Sequence, residues 1–523
     1  MGPVSAPTPP RPVALREENL GDLPADVAVP GYDRSALRPA IVHIGVGGFH
    51  RAHQAVYLDD LARTGETGWG LVGVGLRSPE MGQVMADQDR LYLLVERGDD
   101  ADRARVVGVV DRYLFAPDDP EEVLRTLADE ETRLVTLTIT GTGYRIDPHT
   151  GEFDADDDDV RADLADPAAP RTVFGFLAEA LNRRRRAGLV PFTVLSCDNV
   201  PDNGAAARTA VASFARLRDP ELADWIEAEV AFPGSMVDRI TPTTTPEERD
   251  AIAAATGVDD RWPVITEPFT QWIVEDSFCN GRPPLDRVGV QFVEDVAPYK
   301  AMKTRMLNAS HCALAYLGIL AGFSTIDEVL ADDTFRAYLE HLMDDEIAPL
   351  LPPVPGVDLE DYRRSLVRRF SNPKMGDQLG RLGRRGSTKM PDYVFPSVSA
   401  AIEAGRPHQL LLLAVAGWMR FLRGYDYAGN DVPVSGPLSE RLVELAREGL
   451  TEPEALLTER SVFGGLGDDA GFVAGVEVAL RALEEQGPRE VIALYLGLNV
   501  ERDLDVELDV TDRADVATAG AAR

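Results

Sequence analysis

The sequence predicts an α/β protein, with a Rossmann-like, doubly wound N-terminal domain followed by a mostly α-helical C-terminal domain. Three observations predict it. Short apolar runs alternate with helical patterns over the first part of the chain, the signature of a parallel sheet with crossover helices. The first run ends in a glycine turn, GVGGFHRAH, that opens a helix. From about residue 295 the strand-like runs stop and long helical periods take over.

Taken in order, residues 1–38 read as a proline-rich arm, mobile before Leu37. The dinucleotide-binding domain is expected over 39–294. Its strands are expected at 41–46, 71–74, 106–110, 134–140 and 192–197, with helices at 54–63 and 172–187. A helical substrate and catalytic domain is expected over 295–503, with helices at 299–320, 333–343, 409–422 and 470–486. The acidic, alanine-rich tail 504–523 is left without structure.

Composition narrows the function. A net charge of −34 over 523 residues argues against nonspecific nucleic-acid binding, which depends on basic surface. No apolar run approaches the roughly 20 residues needed to span a bilayer, and MGPVSAPTPPRPVALREENL has no apolar signal core. A cytoplasmic protein without a membrane partner is the expectation. Cys197, Cys279 and Cys312 are odd in number, widely spaced and without a CxxC pair, so reduced thiols and no thiolate metal site are expected. DADDDD, 154–159, reads as an exposed loop because it lacks the glycine and distal glutamate of a calcium loop.

Gly45 and Gly47 occupy the first two positions of a GxGxxG fingerprint, and His50 stands at the third. Gly45 permits the turn, and Gly47 permits close approach of a pyrophosphate to backbone N–H groups. Gly48 and Phe49 complete the candidate cofactor segment. After the second strand, in GVGLRSPE, Glu80 is placed to accept from an adenosine ribose and repel a 2′-phosphate, while Arg77 acts in the opposite sense. The balance favours NAD over NADP.

Only four lysines, Lys300, Lys303, Lys374 and Lys389, occur among 53 lysines and arginines. Two fall in PYKAMKTRMLNASH. On a regular helix at about 100° per residue, Asn308 lies roughly 140° around from Lys303, with His311 between them. An amine, an amide and an imidazole then share a face, and a lysine, unlike an arginine, can lose its proton and act as a base.

These residues, with IVHIGVGGFHRAHQAVYLDDL, TVLSCDNVPDNG, SMVDRITPTTT, WPVITEPFTQWIVED and DQLGRLGRRGSTKMP, resemble the long-chain, metal-independent polyol dehydrogenases. The resemblance covers nearly the whole chain. It implies NAD-dependent interconversion of a polyol and a ketose, D-mannitol and D-fructose first, D-arabinitol and D-xylulose as a close variant. Lys303 matches the general acid/base, Asn199 and Asn308 the amides that hold the substrate oxygen, and His311 the histidine that orients hydroxyls. Asp238, Arg381 and Lys389 match positions for the remaining hydroxyls. No metal is implied, and a monomer is expected. Two positions depart from the family: Gly141 and Lys300 stand where it commonly has glutamates. If all groups are ionised, the exchange makes the surroundings of Lys303 about three charge units more positive, which lowers the lysine pKa and also suits an anionic sugar acid such as mannonate or altronate. A dinucleotide-binding protein without turnover is the remaining alternative.

Overall fold

The computed structural model describes residues 12–98, 100–147, 150–449 and 453–498. At its centre five strands, β1 (Ile41–Ile44), β2 (Leu71–Gly75), β3 (Val110–Phe115), β4 (Leu134–Leu137) and β5 (Thr193–Ser196), form one sheet in the order β3-β2-β1-β4-β5. Every neighbouring pair is parallel. Strands β1, β2, β4 and β5 are buried along their whole length, as β-branched apolar runs are when helices cover both faces. On one face Pro120–Ala128, Val173–Ala187 and Asn203–Arg218 close a core around Phe174, Phe176 and Phe214. On the other, Gln54–Arg63 packs with Trp69 and Trp272. Strands are added outward from β1 first on one side and then on the other, so the switch point lies between β1 and β4, and a crevice opens there at the carboxyl ends of the strands.

Local chemistry sets the boundaries. Thr172 caps Val173–Ala187 by accepting from the Gly175 amide, and Gly188, at φ +69°, ends it. The strand expected at 106–110 is the end of one strand, Asp102–Val107, and the beginning of β3. Gly108 forms the corner: its amide donates to Asp59 at 3.0 Å, and a Cβ there would meet Pro30 at 2.8 Å. The acidic run is only partly a loop, because Asp157 accepts from the Asp159 and Val160 amides and caps the helix Asp158–Ala165.

Smaller sheets surround the main one. Val27–Ala28, Asp102–Val107, Tyr92–Arg97 and Val264–Thr266 form a four-stranded sheet, and Ser235–Asp238, Gln271–Glu275 and Gln291–Val293 a three-stranded one. The expected mobile arm is therefore held from residue 12 onward. Val13–Ala14 pairs with Val258–Asp259, Val27–Ala28 pairs with Ala104–Arg105, and Leu15 and Val27 are buried. Pro24, whose carbonyl accepts from the Val27 amide at 2.9 Å, and Pro30 flank Val27–Ala28, a placement that proline tolerates at a short edge strand. Residues 1–11 of the arm, and the tail, lie outside the described residues.

Beyond Val293 the described chain is helical. Gln409–Phe421, apolar and almost wholly buried, runs between Ala309–Leu320 and Ala470–Gln486. The helix expected at 299–320 is present as one unbroken helical run, 297–320, but it is not uniform. Ala297–Met302 and Ala309–Leu320 are α-helical, and between them Lys303–Asn308 winds as a π-helix. Each turn there carries an additional residue, which brings positions five apart toward one face.

One buried guanidinium is among the groups that tie the two halves together. Arg369, from the helix Leu359–Phe370, donates to Asp238 at 2.8 and 3.0 Å and to Glu267 at 2.8 and 2.9 Å. All three residues are buried, and the guanidinium lies 4.0 Å from the Phe269 ring centroid.

Candidate active site

The crevice above β1, β2 and β4 is a cleft of about 820 Å³ floored by Gly45, Gly47 and Gly48. Gly45 sits at φ +102°, and a Cβ there would lie 2.2 Å from the Thr138 carbonyl oxygen, so only glycine fits. Gly47 and Gly48 face open space, with nothing closer than 3.9 Å to an added Cβ. A bound dinucleotide can therefore approach both backbones. His50, in place of the third glycine, lies flat on His43 of β1 with ring centroids 3.4 Å apart. This stack closes the strand-to-helix contact that the third glycine otherwise permits. Phe49 does not line the cleft; its ring stacks on His53 at 5.1 Å. Glu80 does not line it either: it is exposed and accepts a hydrogen bond from the Ser78 hydroxyl. Arg77 and Ser78 line the cleft instead.

At the other end of the sheet the loop after β5 carries Asp198 and Asn199. Asp198 accepts from the Ile139 and Thr140 amides at 3.0 and 2.7 Å and from the Tyr144 hydroxyl at 2.6 Å, fastening the loops after β4 and β5 together. Thr140 pays for this with φ +66° and ψ +160°, a region L-residues rarely occupy. The fastening fixes Asn199, whose Oδ1 accepts from Lys303 Nζ at 2.7 Å.

Lys303 is 6% exposed. Burial pulls its ammonium pKa down to about 8; Asp238 opposes the shift, while Arg369 and, last, Lys300 assist it. Desolvation is the main cause, and the like charge of Lys300 is a minor one. Lys300 itself donates to Asn203 Oδ1 at 2.7 Å, and burial draws it to about 8 against Asp202 and Glu275. Both lysines line a side cavity of about 250 Å³. Gly141 borders Val200, beside Asn199, with 3.2 Å from an added Cβ to Val200 Cγ1.

Asn308 and His311 follow Lys303 along the same helical run. Asn308 Nδ2 and His311 Nε2 are among the buried polar atoms that have no protein partner. His311 packs on Phe370 at 4.3 Å, and burial, reinforced by Arg381, Arg369, Lys389 and Lys303, holds its pKa well below the ordinary value, so the ring is neutral. Asp238 is engaged by Arg369, Arg381 donates to Asp377 at 2.6 Å, and Lys389 donates to the Leu382 carbonyl at 2.8 Å. A base poised near neutrality, an amide donor and an imidazole left open, and charged groups already paired suit a neutral ligand rich in hydroxyls.

Comparison with known proteins shows the family of the chain. Residues 39–287 match the mannitol dehydrogenase Rossmann domain and residues 295–484 the mannitol dehydrogenase C-terminal domain. The chain belongs to the mannitol dehydrogenase family.

Within the family it is similar to the mannitol 2-dehydrogenases of Phaeosphaeria nodorum, 45% identical over 93% of this chain and 86% of that one, and of Emericella nidulans, 44% identical over 93% and 99%. Among solved structures it is similar to Pseudomonas fluorescens mannitol 2-dehydrogenase in a ternary complex with NAD and D-mannitol, at 43% identity and TM-score 0.86, covering 93% of this chain and all of that one. It is also similar to a substrate-free D-sorbitol dehydrogenase, at 40% identity and TM-score 0.85, covering 92% and 100%.

As a mannitol dehydrogenase family member it is an oxidoreductase with the expected fold: a Rossmann-type nucleotide-binding part and a helical C-terminal part. Among the described residues no three His, Cys, Asp or Glu side chains are grouped to hold a metal ion, the three cysteines are unpaired, and no helix is long and apolar enough to cross a membrane. Sequence reasoning did not single out Glu267 and Arg369. Glu267 lay inside the family segment WPVITEPF, whereas Arg369 had no local signal among so many arginines.

Proposed function

We propose that this enzyme interconverts D-mannitol and D-fructose, with D-arabinitol and D-xylulose as a close alternative pair and Lys303 as the general acid/base. It is an NAD-dependent polyol dehydrogenase, in keeping with the cofactor of its Pseudomonas fluorescens relative and with the open glycine backbone of its cleft. The observation that carries the reading is Lys303, buried, shifted to about 8 and hydrogen-bonded to Asn199 at 2.7 Å.

When bound, NAD supplies the acceptor for the hydride that leaves the carbinol carbon. Lys303 takes the hydroxyl proton at Nζ as that carbon is oxidised and returns it in ketose reduction. Asn308 donates from Nδ2 to the substrate oxygen, and Asn199 holds the lysine and the same oxygen in register as negative charge develops there. Neutral His311 orients a neighbouring hydroxyl through Nε2. Asp238, Arg381 and Lys389 meet the distal hydroxyls, and Arg369 fixes Asp238 for that task. The polyol reading is favoured over a sugar-acid one because the cations near the site are engaged: Lys300 on Asn203, Arg381 on Asp377, Arg369 on two carboxylates.

The test is spectrophotometric. NADH formation should be fast with D-mannitol or D-arabinitol and slow with D-mannonate and D-altronate. NADH binding without turnover on any of them would leave a nucleotide-binding protein and remove the proposal.

A further inference from the structure

We propose that the nucleotide cleft takes the 2′-phosphorylated cofactor, NADP(H), as well as NAD(H), and that Arg77 is the residue that meets the 2′-phosphate. The inference rests on the dinucleotide reading of the cleft and extends it to cofactor selection.

The residues directly after the second strand of a Rossmann sheet face the adenosine ribose. A carboxylate there accepts from the 2′-hydroxyl and repels a phosphate, whereas an arginine accommodates the phosphate. Here β2 ends at Gly75, and the cleft wall continues through Leu76, Arg77 and Ser78. The nearest acidic residue along the chain, Glu80, opens the helix Glu80–Asp87 and is outside that wall. Its carboxylate is held by the Ser78 hydroxyl and by its own backbone amide, which together keep its pKa below the ordinary value. Arg77 is exposed, and no hydrogen bond or ion pair of its side chain occurs among the described residues.

The wider cleft has the same bias. Four arginines line it, Arg51, Arg77, Arg145 and Arg171, against one carboxylate, Asp159. Two of the four are otherwise occupied: Arg51 donates to the Trp262 carbonyl at 2.5 Å, and Arg145 is paired with Asp157 at 2.9 Å and Asp159 at 3.4 Å. In a chain of net charge −34 this local excess of guanidinium marks a place built for anions. Arg77, unpaired at the ribose position, has a planar donor fork suited to a phosphate.

The test is calorimetric binding to the full chain of NADH, NADPH, 5′-AMP and adenosine 2′,5′-bisphosphate, compared with the Arg77→Ala and Arg77→Glu variants. The wild-type chain should bind NADPH within about tenfold of NADH, a gap of about 1.4 kcal/mol. Its preference for the bisphosphate over AMP should weaken as salt is raised. Arg77→Ala should lower the NADPH-to-NADH affinity ratio about tenfold, the effect of losing one charge-assisted contact, and Arg77→Glu should lower it further. Wild-type binding of NADH without NADPH would overturn the proposal and leave the dinucleotide reading standing. Equal losses for both cofactors in Arg77→Ala would overturn it too, whereas binding of neither cofactor by the wild-type chain would overturn both.

Discussion

Lys303 Nζ donates to Asn199 Oδ1 across 2.7 Å, and this bond joins the helical half of the molecule to the loop after β5 of the sheet. The base therefore stands where the helical part meets the loop after β5, beside a side cavity that Asn199 also lines. Its environment is mostly desolvated, so its proton is weakly held near neutral pH.

The pH profile should show this directly. Oxidation needs the free amine, so its kcat/KM should rise with pH through about 8, where Lys303 loses its proton, and then level. Reduction needs the ammonium and should fall over the same range. Lys300→Glu replaces a cation with an anion beside the base, which raises the Lys303 pKa and moves the oxidation limb to higher pH. The displacement should be modest, because Lys300 is the last of the influences on Lys303.

Lys303→Ala should lower kcat for mannitol oxidation by about 10²- to 10⁴-fold, the range of a positioned acid/base. NADH binding, followed by fluorescence titration, should persist, since the glycine cleft does not include Lys303. Near-normal turnover would remove the lysine from the mechanism.

Asn308→Ala should lower kcat by about 10²- to 10³-fold with a smaller change in KM, the pattern expected when a donor acts mainly on the developing oxyanion. A pure KM effect, measured by steady-state kinetics, would make Asn308 a ground-state binding residue instead.

Arg369→Ala should destabilise the protein by about 3 to 5 kcal/mol, because it leaves Asp238 and Glu267 buried side by side without their cation. Chemical denaturation checks the loss. Asp238→Asn, which leaves Glu267 to hold the arginine, should cost less stability and show its larger effect in KM for polyol.

Much of this was legible in the chain. Helices Gln54–Arg63 and Ala470–Gln486 follow from apolar periodicity, and β1, β2, β4 and β5 from compact β-branched runs. The candidate site residues were legible because family spacing ties Lys303, Asn308 and His311 together. What was hidden depends on tertiary pairing. The π-turn at Lys303–Asn308 has no proline or glycine to announce it, and the edge strands Val13–Ala14 and Val27–Ala28 are two residues long and exist through their partners. Arg369 gains its role only where Asp238 and Glu267 converge, 131 and 102 residues away in sequence. Glu80 was placed at the ribose by counting along the loop, whereas the helix beginning at Glu80 turns its carboxylate back to Ser78 and leaves Arg77 at the cleft.

The most direct measurement is the initial rate of NADH absorbance at matched concentrations of D-mannitol, D-arabinitol, D-mannonate and D-altronate with NAD. Fast turnover confined to mannitol or arabinitol is the predicted result. Turnover confined to the sugar acids would contradict the account and mark the positive surroundings of Lys300 and Gly141 as the seat of an anionic substrate.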